Sequence, residues 1–287
     1  MESLLNSFGW TLSIITAAGN GFVIFLVGKS RRLHSSANWF VLSLAVADFI
    51  VGIAIFPSSY FCNKYSTACN TRVYMAFFWF FLHSSVTNLC ALTLDRYIAI
   101  VHPLKYNISM TERHPAMVIL IAWLIPFAIS LSLLVGVYAT TSDTALNVLR
   151  LIGVSAFDIV CCALLFYAVV RILVVARAQS RQQAAIELQV HSLHLSTLST
   201  ETSNSRGRKK HSTTPFIIAI VAFFVGCYVV VNCLLLCITF SCRNVSNKAG
   251  QTIDLLLVLN SSVNPLVYAI LKKDIRIEMN NLICGGN

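Results

Sequence analysis

Charged side chains are scarce in this sequence: Asp, Glu, Lys and Arg make up 11% of its 287 residues, against 57% that are hydrophobic. So few charges cannot cover a water-soluble protein of this length, and the solvent for most of the chain is therefore lipid. Short segments of alternating polarity are missing too, which excludes a transmembrane barrel. No internal repeat is visible, against the paired-repeat layout of many transporters. Histidines and carboxylates at metal-ligand spacing are absent from the apolar runs, so neither an enzyme nor a resident cofactor is expected. Residues 1–10 lack the basic start of a cleavable signal peptide, and the first apolar run is expected to stay as a span. Any ligand is then read by helices and short loops.

What is present is a series of seven apolar runs, each close to or above the roughly 20 residues a helix needs to cross about 30 Å of hydrocarbon. They cover 8–28, 38–61, 72–101, 115–138, 147–177, 215–240 and 248–271. The fold class that follows is an all-α membrane protein, a seven-transmembrane-helix bundle forming one domain over 1–287. Residues 178–211 turn polar and then rich in Ser and Thr, ending in Arg206, Gly207, Arg208, Lys209 and Lys210. They are expected to form a mobile inner loop whose first residues extend helix five, either a solvated basic segment or a target for kinases. Residues 272–283 place Ile275, Ile277, Met279, Leu282 and Ile283 at near-helical spacing, which predicts a short amphipathic eighth helix at the inner membrane face. Cys284 beyond it is a palmitoylation candidate or a plain thiol.

The net charge of +10 raises the possibility of nucleic acid, but its distribution excludes that partner. Lys29, Arg31, Arg32, Lys105, Arg113, Lys209, Lys210, Lys272 and Lys273 all fall on one side of the spans. By the positive-inside rule that side is cytoplasmic, so the amino terminus is expected outside a plasma membrane. Asn244-Val245-Ser246 then lies outside as a glycosylation candidate, and Asn107-Ile108-Ser109 inside. Four cysteines sit at the oxidising outer face, where Cys62 with Cys69 and Cys237 with Cys242 are candidate disulfides.

Three polar signals within the spans need explaining, because an ionisable group at a helix centre costs about 2.5–3.5 kcal/mol on insertion scales. Asp48 sits midway along helix two, Asp95-Arg96-Tyr97 closes the inner end of helix three, and Asn264-Pro265-Leu266-Val267-Tyr268 interrupts helix seven. Together with Gly19-Asn20, Trp123 and Tyr167, these residues stand in the order found in rhodopsin-like G-protein-coupled receptors, which the chain resembles over nearly its whole length.

That resemblance implies roles. Asp48, Ser85, Asn260, Ser261 and Asn264 match the family's buried sodium and water site, with a water-filled network lacking the ion as the alternative. Arg96 opens toward a heterotrimeric G protein when helix six swings outward, while Tyr167 and Tyr268 turn inward. Pro103 and Leu104 belong to the inner loop that inserts into the G protein, and arrestin and kinases are implied at the same face. An extracellular ligand, a small molecule or a peptide, is expected against Phe78, Trp79, Leu82, Tyr228, Asn232, Leu235 and Asp254. For Asp254 two readings stand: contact with a cationic ligand group, or favourable placement near the amino end of helix seven.

Several positions depart from the family. Where relatives carry an acidic partner for the arginine this chain has Lys209-Lys210, so appreciable basal signalling is expected. Tyr228 and Val230 replace the tryptophan and proline of helix six, and Ile159 the proline of helix five, which must stay straighter or bend by another means. The second outer loop, about 139–146, has no cysteine, a feature that resembles melanocortin receptors, whereas the run from Tyr167 to Gln179 looks more like adenosine receptors. Phe78 replaces the acid that binds amines, and Val258 replaces the opsin lysine. Asp158 matches no family motif. His83 is its candidate partner, in a static polar contact or, alternatively, a pH-sensitive one. The competing functional reading is a seven-helix transporter or channel using Asp48, Asp158 and Asp254 along a permeation path.

Overall fold

The apolar runs fold as helices because in lipid every backbone N–H and C=O must find its partner within the segment. The computed structural model describes residues 2–64, 69–104, 106, 113–140, 142–196, 214–240 and 249–283. Among them are seven helices long and apolar enough to cross a membrane. They are α1 (Glu2–Lys29), α2 (Ser36–Lys64), α3 (Thr71–Val101), α4 (Arg113–Ala139), α5, α6 (Thr214–Thr239) and α7 (Ala249–Leu271). A shorter helix, α8 (Lys273–Ile283), follows α7 after one residue. The candidate sites Cys242, Asn244 and Cys284, and also Asn107, Lys209 and Lys210, lie outside the described residues.

Helix α5 differs most from its expected bounds. It starts at Asp143, where the Ser142 side chain accepts from the Ala145 N–H at 3.4 Å, and runs through Arg150 into a π-helical segment, Leu151–Ala156. It then continues from Phe157 to Ser196. The boundary expected at residue 177 is overrun because Gln179, Gln182, Gln183, Ala184, Ala185 and Glu187 are good helix formers. The expected extension of helix five into this segment thus runs as far as Ser196, and 197–211 lie outside the described residues. The π segment supplies the irregularity that Ile159 cannot, since a wider turn changes the direction in which the following side chains point.

Enclosure is uneven. In the central windows of α2 and α3, 61% of residues are buried, against 22% in α4 and α5, which therefore present most of their surface to lipid. Close approach on the enclosed side depends on small residues. A Cβ on Gly52 would lie 2.8 Å from the Ala17 backbone nitrogen, so α1 and α2 cross where only glycine fits. On the other flank of α1 a Cβ on Gly19 would lie 3.0 Å from the Pro265 ring of α7.

Polar ties hold the same helices in register. Asn20 donates to the Thr16 carbonyl at 2.9 Å and across to the Ser261 carbonyl of α7 at 3.2 Å. Trp123 of α4 donates to Ser43 at 3.0 Å, and Ser43 donates to Asn88 of α3 at 2.6 Å, so one serine joins three helices. Beyond these ties a disulfide joins Cys62 and Cys69, with Cα atoms 5.3 Å apart, and links the end of α2 to the chain leading into α3.

Candidate functional site

Asp48 is wholly buried in the middle of α2, and three donors from two other helices converge on it. Ser85 of α3 and Ser261 of α7 donate to Oδ1 at 2.6 and 2.7 Å, and the Asn264 amide of α7 donates to Oδ2 at 2.6 Å. Both carboxylate oxygens are therefore satisfied, which is the condition for holding such a group in a low-dielectric interior. Asn260, the neighbour of Ser261 in the chain, is buried too, but among the described residues no hydrogen bond joins it to Asp48. Three of the other four expected sodium-site residues thus bond to Asp48.

At the inner end of α3, Asp95 is buried and Arg96 folds back onto it, its Nε 2.8 Å from Oδ2 and its Nη2 closer still. Tyr106 donates to the other oxygen of Asp95 at 3.2 Å. Burial, and after it the Asp95 charge, push the Tyr106 phenol above its ordinary pKa, which keeps it a donor. Among the described residues Arg96 has no acidic partner on another helix. Tyr167 lies with 57% of its surface exposed on the lipid side of α5, whereas Tyr268 is fully buried. Leu104 is 80% exposed beyond the end of α3. The extended α5 reaches this face too, where Gln179 donates to the Ile100 carbonyl at 3.4 Å.

The expected ligand residues separate into two places. Phe78, Leu82, Tyr228 and Asn232 are buried in the outer half, with Trp79 edge-on to Phe78 at 5.2 Å and Tyr228 stacked on Phe224 at 4.2 Å. Leu235 is partly buried against the same core. Asp254 instead turns toward α2, accepts from Ser59 at 2.5 Å and lines a cavity of about 240 Å³ with Asn6, Phe56, Tyr60, Lys64 and Gln251. None of the other six expected residues lines that cavity. Sequence reasoning missed Ser59, because the rotation of one helix against another is not written in spacing along either.

Asp158 and His83 do meet, Nε2 to Oδ1 at 3.6 Å, with both side chains almost wholly enclosed. The Trp79 ring lies over the imidazole at 5.6 Å and Phe157 stands 4.8 Å away. Neither imidazole nitrogen and neither carboxylate oxygen has a hydrogen-bond partner among the described residues. Asp48, Asp158 and Asp254 thus have separate partners, although α2 and α7 take part in both the Asp48 and the Asp254 contacts.

A fourth cluster was not anticipated. Lys272, between α7 and α8, is buried, and its ammonium donates to Asn38 at the start of α2 and to Asp274 at 2.6 Å. Asn38 in turn donates to Asp274 at 3.0 Å. The sequence offered one signal, an acid two residues after a lysine at the end of a span.

Residues 19–268 match the model of the seven-transmembrane receptors of the rhodopsin family. The adenosine receptor A2a of Canis lupus familiaris is 28% identical over 95% of this chain and 70% of its own length. The histamine H2 receptor of Cavia porcellus is 26% identical over 95% of this chain and 77% of its own, and that of Homo sapiens 27% over the same shares. Adenosine receptors, expected from the run beginning at Tyr167, thus recur among the relatives, and the histamine receptors join them.

Proposed function

We propose that this chain, which belongs to the rhodopsin family of seven-transmembrane receptors, binds an extracellular ligand at its outer end and responds by activating a cytoplasmic heterotrimeric G protein. The observation that carries this reading is the inner face: Arg96 bound to its own neighbour Asp95, with Leu104 exposed beside it. An arginine held at one end of a helix by an adjacent residue is released by a small movement of the surrounding helices, as a two-state element requires. Tyr167, exposed toward lipid, and Tyr268, buried on α7, are the groups that would meet once α6 moves outward.

The Asp48 cluster is the joint between the two ends. Its carboxylate, with the Ser85 and Ser261 hydroxyls 2.6 and 2.7 Å from Oδ1, forms an oxygen-rich donor set of the kind that suits a sodium ion. A bound ion would supply a counter-charge for a buried acid. Without it, Ser85, Ser261 and Asn264 hold the carboxylate by hydrogen bonds and couple α2, α3 and α7.

Basal activity follows from the sequence ahead of α6, where Lys209 and Lys210 occupy the sequence positions at which relatives carry an acid for the arginine, so the resting state lacks that restraint and the active state gains population. The amino terminus is extracellular in this reading, glycan is carried by Asn244, and Cys237 pairs with Cys242. Cys284 is the palmitoyl acceptor, and the Ser/Thr-rich stretch to residue 211 receives kinases and arrestin. The test is G-protein activation in cells expressing the full chain without ligand. A signal above untransfected cells, lost in Arg96→Ala with surface expression retained, is the expected result. Signal that persists in Arg96→Ala would refute the assignment.

A further inference from the structure

Helices α4 and α5 touch at their outer ends, where a Cβ on Gly136 would lie 2.2 Å from the Leu149 side chain and one on Gly153 3.0 Å from that of Leu133. Inward of that contact a cavity of about 520 Å³ lies between them, with α3 as its floor. Sites for single drug-sized ligands run from about 300 to 1,000 Å³, so it has room for one such molecule. It opens sideways to lipid, since Ile121, Ile125, Val160 and Leu164 line it and are each about half exposed. Along α3 it runs from Thr87 to Tyr97, about 15 Å at 1.5 Å per residue, which is half of a hydrocarbon core of about 30 Å.

Polar groups are distributed unevenly along it. Thr87 donates to the Ala122 carbonyl at 2.5 Å and Thr93 to the Leu89 carbonyl at 2.8 Å, so neither hydroxyl hydrogen is left for an occupant. Tyr97 and Tyr167 bring phenols to the inner end. Arg171 follows Tyr167 by one turn on the same face of α5, exposed, between Val170 and Ile172 of the apolar run. Helical Cα–Cβ bonds tilt toward the amino end, so Arg171 leaves α5 leaning back toward Tyr167 and the cavity. Among the described residues no acidic side chain pairs with it. A cation on the lipid face of a span is costly unless it reaches the interface or meets an anion.

We infer that this cavity binds a long-chain fatty acid from the inner leaflet, its chain along α3 and its carboxylate on Arg171. Lipid tails are as apolar as the walls, so a chain gains little by leaving the bilayer and the head decides what is retained. A guanidinium holds a carboxylate through two parallel hydrogen bonds. A sterol or a fatty alcohol would leave Arg171 without a counter-charge. A diacyl phospholipid supplies an anion but carries a second chain that a single slot leaves outside. The occupant bears on signalling through Tyr167, and this part rests on the receptor reading above, in which Tyr167 turns inward on activation. A ligand that touches Tyr167 in its outward position binds that state better and favours the resting receptor.

The test uses the full chain in phosphatidylcholine nanodiscs and an oleate analogue with a photoreactive diazirine in its chain, cross-linked peptides being read by mass spectrometry. Labels should fall on 87–97, 118–125 and 157–168. Unlabelled oleate should compete at about tenfold lower mole fraction than oleyl alcohol, cholesterol or phosphatidylserine. Arg171→Gln, at an exposed position, should erase that preference and Arg171→Lys should keep part of it. Ala168→Phe, which fills the cavity, should remove the labels with Arg171 still in place. Equal competition by oleate and oleyl alcohol, or a preference unchanged in Arg171→Gln, overturns the inference. Phosphatidylserine competing as well as oleate overturns it too and assigns the cavity to phospholipid. In the same discs oleate should lower ligand-independent nucleotide exchange on added G protein several-fold, but not in Arg171→Gln. Selective labelling with exchange indifferent to oleate supports the site and overturns its link to Tyr167. Selective labelling with no exchange under any condition supports the site and refutes the receptor reading. Exchange that depends on Arg96, without selective labelling, does the opposite.

Discussion

Two buried carboxylates at comparable depth are treated in opposite ways. Asp48 receives three hydrogen bonds from α3 and α7, whereas Asp158, equally enclosed, faces His83 at 3.6 Å with four polar atoms of the pair unbonded among the described residues. The first arrangement is closed and shared by three helices, so it contributes both stability and coupling. The second joins only α3 and α5 and leaves polar surface that nothing offsets, so it carries a stability deficit. A buried ionisable group is therefore not one kind of feature. What matters is whether its hydrogen bonds are complete.

The largest effect is expected from breaking the closed site. Asp48→Leu strands the Ser85 and Ser261 hydroxyls and the Asn264 amide. Interhelical hydrogen bonds in membranes average about 0.6 kcal/mol, and stranding buried donors adds to this, so a loss of about 2–3 kcal/mol is expected. Thermal denaturation of the purified receptor should show a fall of roughly 5–10 °C, whereas Asp48→Asn, which keeps an acceptor, should recover most of it. The open pair should respond with the opposite sign. Replacing both members, His83→Phe with Asp158→Leu, removes four unsatisfied atoms, and exchanging buried ion pairs for apolar groups is often neutral or stabilising by about 1–4 kcal/mol. The double variant should therefore melt at the same temperature or higher. A fall comparable to that of Asp48→Leu would erase the distinction between the sites.

The contrast also marks how far the sequence was legible. Asp48, Arg96 and Asn264-Pro265 stand in a recognisable order, and Asp48 meets Ser261 and Asn264 because α1 holds both helices close, α2 through Gly52 on Ala17 and α7 through Gly19 on Pro265. The Asp158 contact with His83 was legible for a simpler reason, since an acid within a span needs a partner and few candidates exist. Asp254 was placed among the wrong neighbours because the outer end of α7 turns toward α2, a rotation set by packing. The π segment and the full length of α5 were not legible: Leu151–Ala156 carries no proline and its one glycine, Gly153, does not specify a wider turn, while the polar residues after 177 indicated that helix five extends but not that it runs to Ser196.

A third buried charge sharpens the comparison by lying between the two extremes. Lys272 is buried and bonded to both Asn38 and Asp274, a closed arrangement, but Asp274 is half exposed and water competes for it. The pair is accordingly unsymmetrical. Burial lowers the Lys272 pKa despite the pull of Asp274, because the ammonium gives up more hydration than the carboxylate does. Burial works against Asp274 too, yet the Lys272 charge, its hydrogen bond and that of Asn38 outweigh it and hold the carboxyl below its usual range. A depressed carboxylate contributes stability that is complete above the unfolded value of about 3.9 and is lost as pH falls through the lower folded value. Docking of α8 on the inner end of α2 should therefore be constant from neutral pH down to about 4 and loosen only below it. Hydrogen exchange over 273–283, followed against pH, would show this, and Asp274→Asn should flatten the profile. Loosening that begins near pH 6 would mean that a different group holds α8. The change should stay confined to that helix, because among the described residues Asp274 bonds Asn38 of α2 and Lys272 before α8 and no member of the Asp48 cluster.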